Sequence, residues 1–133
     1  KRPYIIHRTS IGCYERTLAW LIEKYAGAFP LWLAPEQVRF IPIADRHLPF
    51  VREIAEKLEA LGIRCSIDDR AEKMGYKIRQ AQLEKTPYML IAGDNEVESK
   101  TVSVRSRRDG DLGSMTPAEL IERLTDEIVS KKI

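Results

Sequence analysis

The 133-residue sequence has two cysteines, Cys13 and Cys65. They are too few for a disulfide scaffold and are spaced for neither a CxxC pair nor a zinc ribbon. A reducing, cytoplasmic setting is the expectation. No apolar run approaches the ~20 residues of a membrane-spanning helix, so membrane partners are not expected. No sign of charge dominates. Twenty-two basic and 20 acidic residues leave a net charge of +2, far from the basic excess of a dedicated nucleic-acid binder. Repeats and low-complexity tracts are absent. So are GxGxxG, a Walker loop, HExxH and GxSxG, and no complete active site is visible in the pattern. Lys1-Arg2 is followed only by a short apolar run, so a secretory leader is not expected here. The chain opens on Lys rather than Met, as a segment of something longer would.

What is present is an ordinary globular composition, 44% hydrophobic and 32% charged, in a chain long enough to bury a core without staples. Tyr4 to His7 reads as a short strand. Ser10 suits an N-cap for a helix over 11–26, closed by Gly27, with Ile11, Tyr14, Leu18, Leu21, Ile22 and Tyr25 near one face. The stretch 29–35 carries two prolines and reads as a boundary, giving a leading strand-helix piece over 1–34 and a second unit over 35–133. In that unit, 38–43 is a buried-type strand. Leu48, Val51, Ile54, Ala55, Leu58 and Leu61 recur at helical spacing before Gly62. Strand 63–67, helix 74–84 and the wholly apolar strand 88–92 follow. Gly93-Asp94-Asn95-Glu96 has turn chemistry. Over 101–107, Val102 and Val104 alternate with Thr101, Ser103, Arg105 and Arg107. Thr116-Pro117-Ala118-Glu119 is a capping box that opens a last helix. The order β-α-β-α-β-β-α predicts an α/β fold. It is a small three-layer sandwich with a mixed, mostly parallel sheet and about three helices, the first three strands parallel and the fourth antiparallel.

Candidate chemistry is sparse. His7 and His47 are far apart in sequence, and Asp68-Asp69 on a strand would point to opposite faces rather than converge on a metal. The cationic excess lies between residues 64 and 108, where ten basic side chains meet seven acidic ones. Arg105 and Arg107 project from the face of their strand opposite Val102 and Val104. Glu96 lies just before that strand, and Lys73, Lys77 and Arg79 lie at or in the preceding helix. Guanidinium groups bind phosphates and base edges, and a carboxylate accepts from the amino and imino groups of guanine. Such a set can read unpaired bases. It equally fits a solvated strand edge whose charges discourage aggregation.

Longer strings add a resemblance. IHRTSIGCYERTLAWLIEKYAGAFPLWLAPEQV resembles the end of a class II aminoacyl-tRNA synthetase catalytic domain running into its anticodon-binding domain. DDRAEKMGYKIRQAQLEKTPYMLIAGDNEVESKTVSVRSRR and DLGSM resemble the threonyl family, which the His7-Arg8 pair before Gly12-x-x-Glu15-Arg16 also favours. Histidyl, prolyl and glycyl enzymes share the domain and the Trp-Leu-Ala-Pro junction.

The resemblance implies that Arg16 contacts ATP phosphates in a full ligase, where ATP-Mg is required. It also implies that His7 is one ligand of a zinc whose other two ligands lie upstream; neither group is expected to be held by these residues alone. Glu96 and Arg105 fall where the family reads the second and third anticodon bases, G and U. A third reading position, usually Asn, is Ala71. Arg107, Lys73, Lys77 and Arg79 are the expected auxiliary RNA contacts. The implied partners are the anticodon stem-loop of a threonine tRNA, an upstream catalytic domain, and a second subunit in a homodimeric enzyme. A protein-interaction or dimerisation module reusing the fold, or the equivalent domain of a prolyl, glycyl or histidyl synthetase, is the alternative. Catalysis by these residues alone is not expected, since two class II motifs are missing.

Overall fold

The structure, a computed structural model, describes residues 1–9 and 11–133. Its regular elements are α1 (Tyr14–Tyr25), β1 (Val38–Pro42), α2 (Leu48–Ala60), β2 (Cys65–Ile67), α3 (Met74–Leu83), β3 (Tyr88–Ala92), α4 (Asp94–Ser99), β4 (Val102–Ser106), β5 (Gly110–Met115) and α5 (Pro117–Val129). One five-stranded sheet runs in the order β2-β1-β3-β4-β5. β1 pairs in parallel with β2 and β3, and β4 is antiparallel to both β3 and β5. The α/β class, the mixed sheet and the direction of its first four strands follow the pattern read from the sequence.

The main core lies on one face of the sheet. Val38, Phe40, Leu90, Val102 and Val104 meet Val51, Ile54 and Leu58 of α2 and Leu120 and Leu124 of α5. The apolar positions of α2 recur at three and four residues and so form one buried stripe. Its end is set by Gly62 at φ 77°, where the Ile63 amide donates back to the Leu58 carbonyl, the geometry of a Schellman stop. At the start of α5 the Glu119 amide donates to Thr116 Oγ1 while Glu119 Oε2 accepts from the Thr116 amide, so the capping box forms. On the other face α3 supplies Ile78 and Ala81 against Ile41, Met89 and Ile91. That smaller cluster reaches no residue of β4 or β5.

Several elements differ from expectation. Tyr4 to His7 is not a strand: the segment is irregular and exposed. An isolated strand gains nothing without a partner edge, and the edges of this sheet are β2 and β5. α1 begins at Tyr14, not residue 11, and the expected cap, Ser10, lies outside the described residues. α1 buries none of its residues, and Tyr14, Leu18, Trp20 and Ile22 are exposed. Residues 93–96 form the start of α4 rather than a simple turn. β5 was not anticipated. Its segment holds Gly110 and Gly113, both at positive φ, and a register shift beside Val104 and Arg105 accommodates it.

Residues 26–34 run to the end of the sheet where the parallel strands begin. Leu31 is buried in the main core. Arg107 donates to the carbonyls of Phe29 (2.6 Å) and Ala28 (3.3 Å) and to that of Lys85. Lys85 donates to the Ala26 carbonyl. Burial pulls the Arg107 guanidinium below its ordinary pKa.

Candidate nucleic-acid interface

The connection leaving β1 runs to β2 on one side, and the one leaving β3 runs to β4 on the other. Their carboxyl ends therefore flank a topological switch point, where an open α/β sheet forms a crevice. The segments 43–47 and 93–96 line it, and 68–73, after β2, lies at the same end of the sheet.

Glu96 sits in the first turn of α4, half-buried, and its Oε2 accepts from the Gly93 amide at 2.9 Å. Oε1 accepts no hydrogen bond among the described residues. A Cβ on Gly93 would come within 2.6 Å of Ile43 Cδ1 and 3.1 Å of Glu96 Oε2, so a larger residue there would displace the ends of both side chains. By strand alternation that Cβ would share the face of Met89 and Ile91, which is the α3 face. The Glu96 carboxylate lies on that face.

Asp94, two residues before Glu96, holds the neighbouring connection. Arg46 donates to it through Nε (2.8 Å) and Nη2 (2.5 Å), and His47 Nε2 lies 2.8 Å from Oδ1. His47 Nδ1 accepts from the Ala44 amide at 3.1 Å, so Nε2 carries the hydrogen and donates. Arg46 above all, and His47 after it, hold the Asp94 carboxyl well below its ordinary value of 3.8. A group with a depressed folded pKa adds stability that is complete above its unfolded pKa and is lost progressively as pH falls from there through the folded value. The melting temperature is expected to drop on acidification below about pH 4, and less steeply in Asp94→Asn. Identical acid profiles in thermal melts would disprove the contribution.

Arg105 stands on β4 opposite Met89 of β3 and Asp111 of β5. Its side chain is 38% exposed and its Nη2 meets Asp111 Oδ2 at 3.3 Å. Its Nε is buried with no partner among the described residues. A cavity of about 330 Å³ opens beside it, lined also by Gln82, Thr86, Met89 and Asp111. Ser103 and Ser114 pair at the next level of the same face. Glu96 and Arg105 thus share the α3 face but are not side by side. Glu96 follows β3 beyond Ala92, whereas Arg105 pairs with Met89, three residues or about 10 Å of strand lower than Ala92. That spacing suits two different bases of one strand.

The remaining residues separate. Lys73 and Arg79 are exposed. Lys77 is not a surface cation: it is 4% exposed and donates from Nζ to the Asp68 carbonyl at 2.9 Å. It lies on the inward stripe of α3 with Ile78 and Ala81, so its charge is spent on the fold. Lys77 is therefore not free for RNA. Arg107 lies beyond the end of β4, in the turn, and its Nη1 and Nη2 donate to the three carbonyls described above. Ala71 is exposed in the 68–73 segment, beside Asp68, which Arg70 holds through Nε (2.8 Å) and Nη2 (2.6 Å). Arg16, in the first turns of α1, is exposed, as are His7 and Cys13. Among the described residues no three His, Cys, Asp or Glu side chains could hold a metal ion. His7 and Cys13 alone do not make a zinc site. Burial pushes the Cys65 thiol up to about 12, which makes it unreactive. The Arg46–His47–Asp94 cluster joins residues 47 positions apart and has no local sequence signal. The Gly93-x-x-Glu96 spacing, that of a capping box, could have signalled α4.

This is a small α/β binding module with one open half-face carrying an acid and a guanidinium. The chain belongs to the anticodon binding domain family, whose model matches residues 37–127. Its relatives are more specific. It is 54% identical over 132 residues to threonine–tRNA ligase of Clostridium perfringens (strain SM101 / Type A), covering 99% of this chain and 20% of that protein. It is 59% identical over 127 residues to the Natranaerobius thermophilus ligase, covering 96% of this chain and 20% of that one. The chain thus spans about a fifth of the length of these curated relatives. Among solved structures it is similar to the RNA binding domain of threonyl-tRNA synthetase from Cryptosporidium parvum Iowa II, with a TM-score of 0.80 and 30% identity. That match covers 85% of this chain and 28% of the other. These relatives do not favour the protein-interaction alternative. No helix among the described residues is long and apolar enough to cross a membrane.

Proposed function

We propose that this chain is the anticodon-reading segment of a threonine–tRNA ligase and binds the anticodon loop of a threonine tRNA. The observation that carries the reading is the placement of Glu96 and Arg105 on one open face, about 10 Å of strand apart, with no helix of the smaller cluster over β4 or β5. Glu96 Oε1 accepts from the N1 and N2 hydrogens of a guanine, because Oε2 is held by Gly93. Arg105 donates to the carbonyl edge of the next base, a uracil. Lys73 and Arg79 contact phosphates, which position the loop without specifying it. Ala71 contributes no side-chain hydrogen bond, so reading rests on two bases.

In the parent ligase the catalytic part and a second subunit lie outside these residues. There Arg16 would meet the triphosphate of ATP, its permanent charge offsetting that of the phosphates, and His7 would supply one zinc ligand. The task of the present residues is to place the correct tRNA, not to activate threonine.

Titration of anticodon stem-loops tests the proposal. A loop with G-U at the second and third anticodon positions is expected to bind better than loops altered at either base, with an affinity that falls as salt rises. Equal affinity for all loops would refute base reading. Arg105→Ala is expected to cost about 1–3 kcal/mol of discrimination at one base, whereas Lys73→Ala weakens every loop about equally. A uniform loss on Arg105→Ala would make that residue a phosphate contact.

A further inference from the structure

We propose that Asp94 is a positioning residue for base reading: by gripping Arg46 and His47 it fixes α4, and with it the Glu96 carboxylate, at the rim of the sheet. The inference rests on the reading of Glu96 as a base acceptor. α4 has six residues and buries none of them, and a helix that short does not persist on its own strength. Its placement therefore comes from side-chain ties. Asp94 makes the tie across the switch-point crevice, taking both Arg46 donors and the His47 Nε2 hydrogen. His47 is 2% exposed and is itself oriented by the Ala44 amide, so the tie ends on the rigid exit of β1 rather than on a loose loop. On the other side the Gly93 amide holds Glu96 Oε2. The carboxylate that meets the base is thus located from both flanking connections. The Asp94 side chain is 60% exposed, so its role is orientation, not packing.

The test uses this chain as wild type, Asp94→Asn and Glu96→Gln. Three stem-loops are titrated: one with G-U, one with the G changed to A, and one with the U changed to C. Wild type is expected to prefer G to A and U to C. In Asp94→Asn the G preference is expected to fall about tenfold or to parity, as for residues coupled through one hydrogen-bond network. The U preference, which belongs to Arg105, stays. Glu96→Gln loses the G preference through the reader itself. Amide hydrogen exchange at Ala44 and Gly93 is expected to quicken in Asp94→Asn, with Leu90 unchanged. A full G preference in Asp94→Asn overturns the positioning role and leaves the anticodon reading standing. Equal loss of both preferences also overturns it, as general damage. A wild type without G preference overturns the reading of Glu96 and this inference together. Arg46→Met, at an exposed side chain, repeats the test if Asp94→Asn does not fold; an unchanged G preference there overturns the inference.

Discussion

Phe40→Ala is expected to destabilise the chain by about 3–5 kcal/mol, lowering its melting temperature by roughly 10 °C or more. Phe40 is fully buried in the middle of β1, paired with Leu90 on one side and Ile67 on the other. Its ring belongs to the cluster that joins the sheet to α2 and α5. β1 pairs on both edges and the residues around it are tied into ladders, so the site cannot collapse to fill the void. Chemical denaturation followed by tryptophan fluorescence or circular dichroism measures the loss. A change below about 1 kcal/mol, the ordinary size for a generic substitution, would mean that α2 and α5 do not pack on β1 as described.

Lys77→Ala is the second. It is expected to cost about 1.5–3 kcal/mol, the usual range for a hydrogen bond from a charged group, because the buried ammonium satisfies the Asp68 carbonyl. The affinity of the folded protein for stem-loops is expected to stay nearly unchanged. The reverse result, unaltered stability with uniformly weaker RNA binding, would return Lys77 to the surface as a phosphate contact. The two outcomes separate cleanly in a melt and a titration on the same sample.

The elements with strong periodicity were legible in the residues alone. The α2 stripe, the apolar run of β3 and the alternation of Val102 and Val104 against Arg105 each repeat a spacing that one geometry satisfies. Arg105 follows from that alternation, whereas Glu96 is marked only by its place just before the strand. What escaped depends on partners distant in sequence or on small residues. β5 contains two glycines and mostly exposed positions, so it has no apolar pattern and exists because β4 offers it an edge. Lys77 reads as a surface cation until the Asp68 carbonyl is placed above it. Arg107 reads as the next member of the β4 alternation, but the strand stops at Ser106 and the turn aims the side chain at carbonyls of residues 28, 29 and 85. Tyr4 to His7 has strand-like residues and no edge to join.

The Arg107 clamp has a mechanical consequence. It fastens the incoming chain at one pole of the sheet, while Glu96 stands at the other, a five-residue strand or about 17 Å away. Any swivel at the fastening is magnified at the far tip, as at the end of a boom. Three carbonyls converging on one planar cation stiffen that pivot, so loosening Arg107 would widen the arc swept by the far rim without altering a side chain on it.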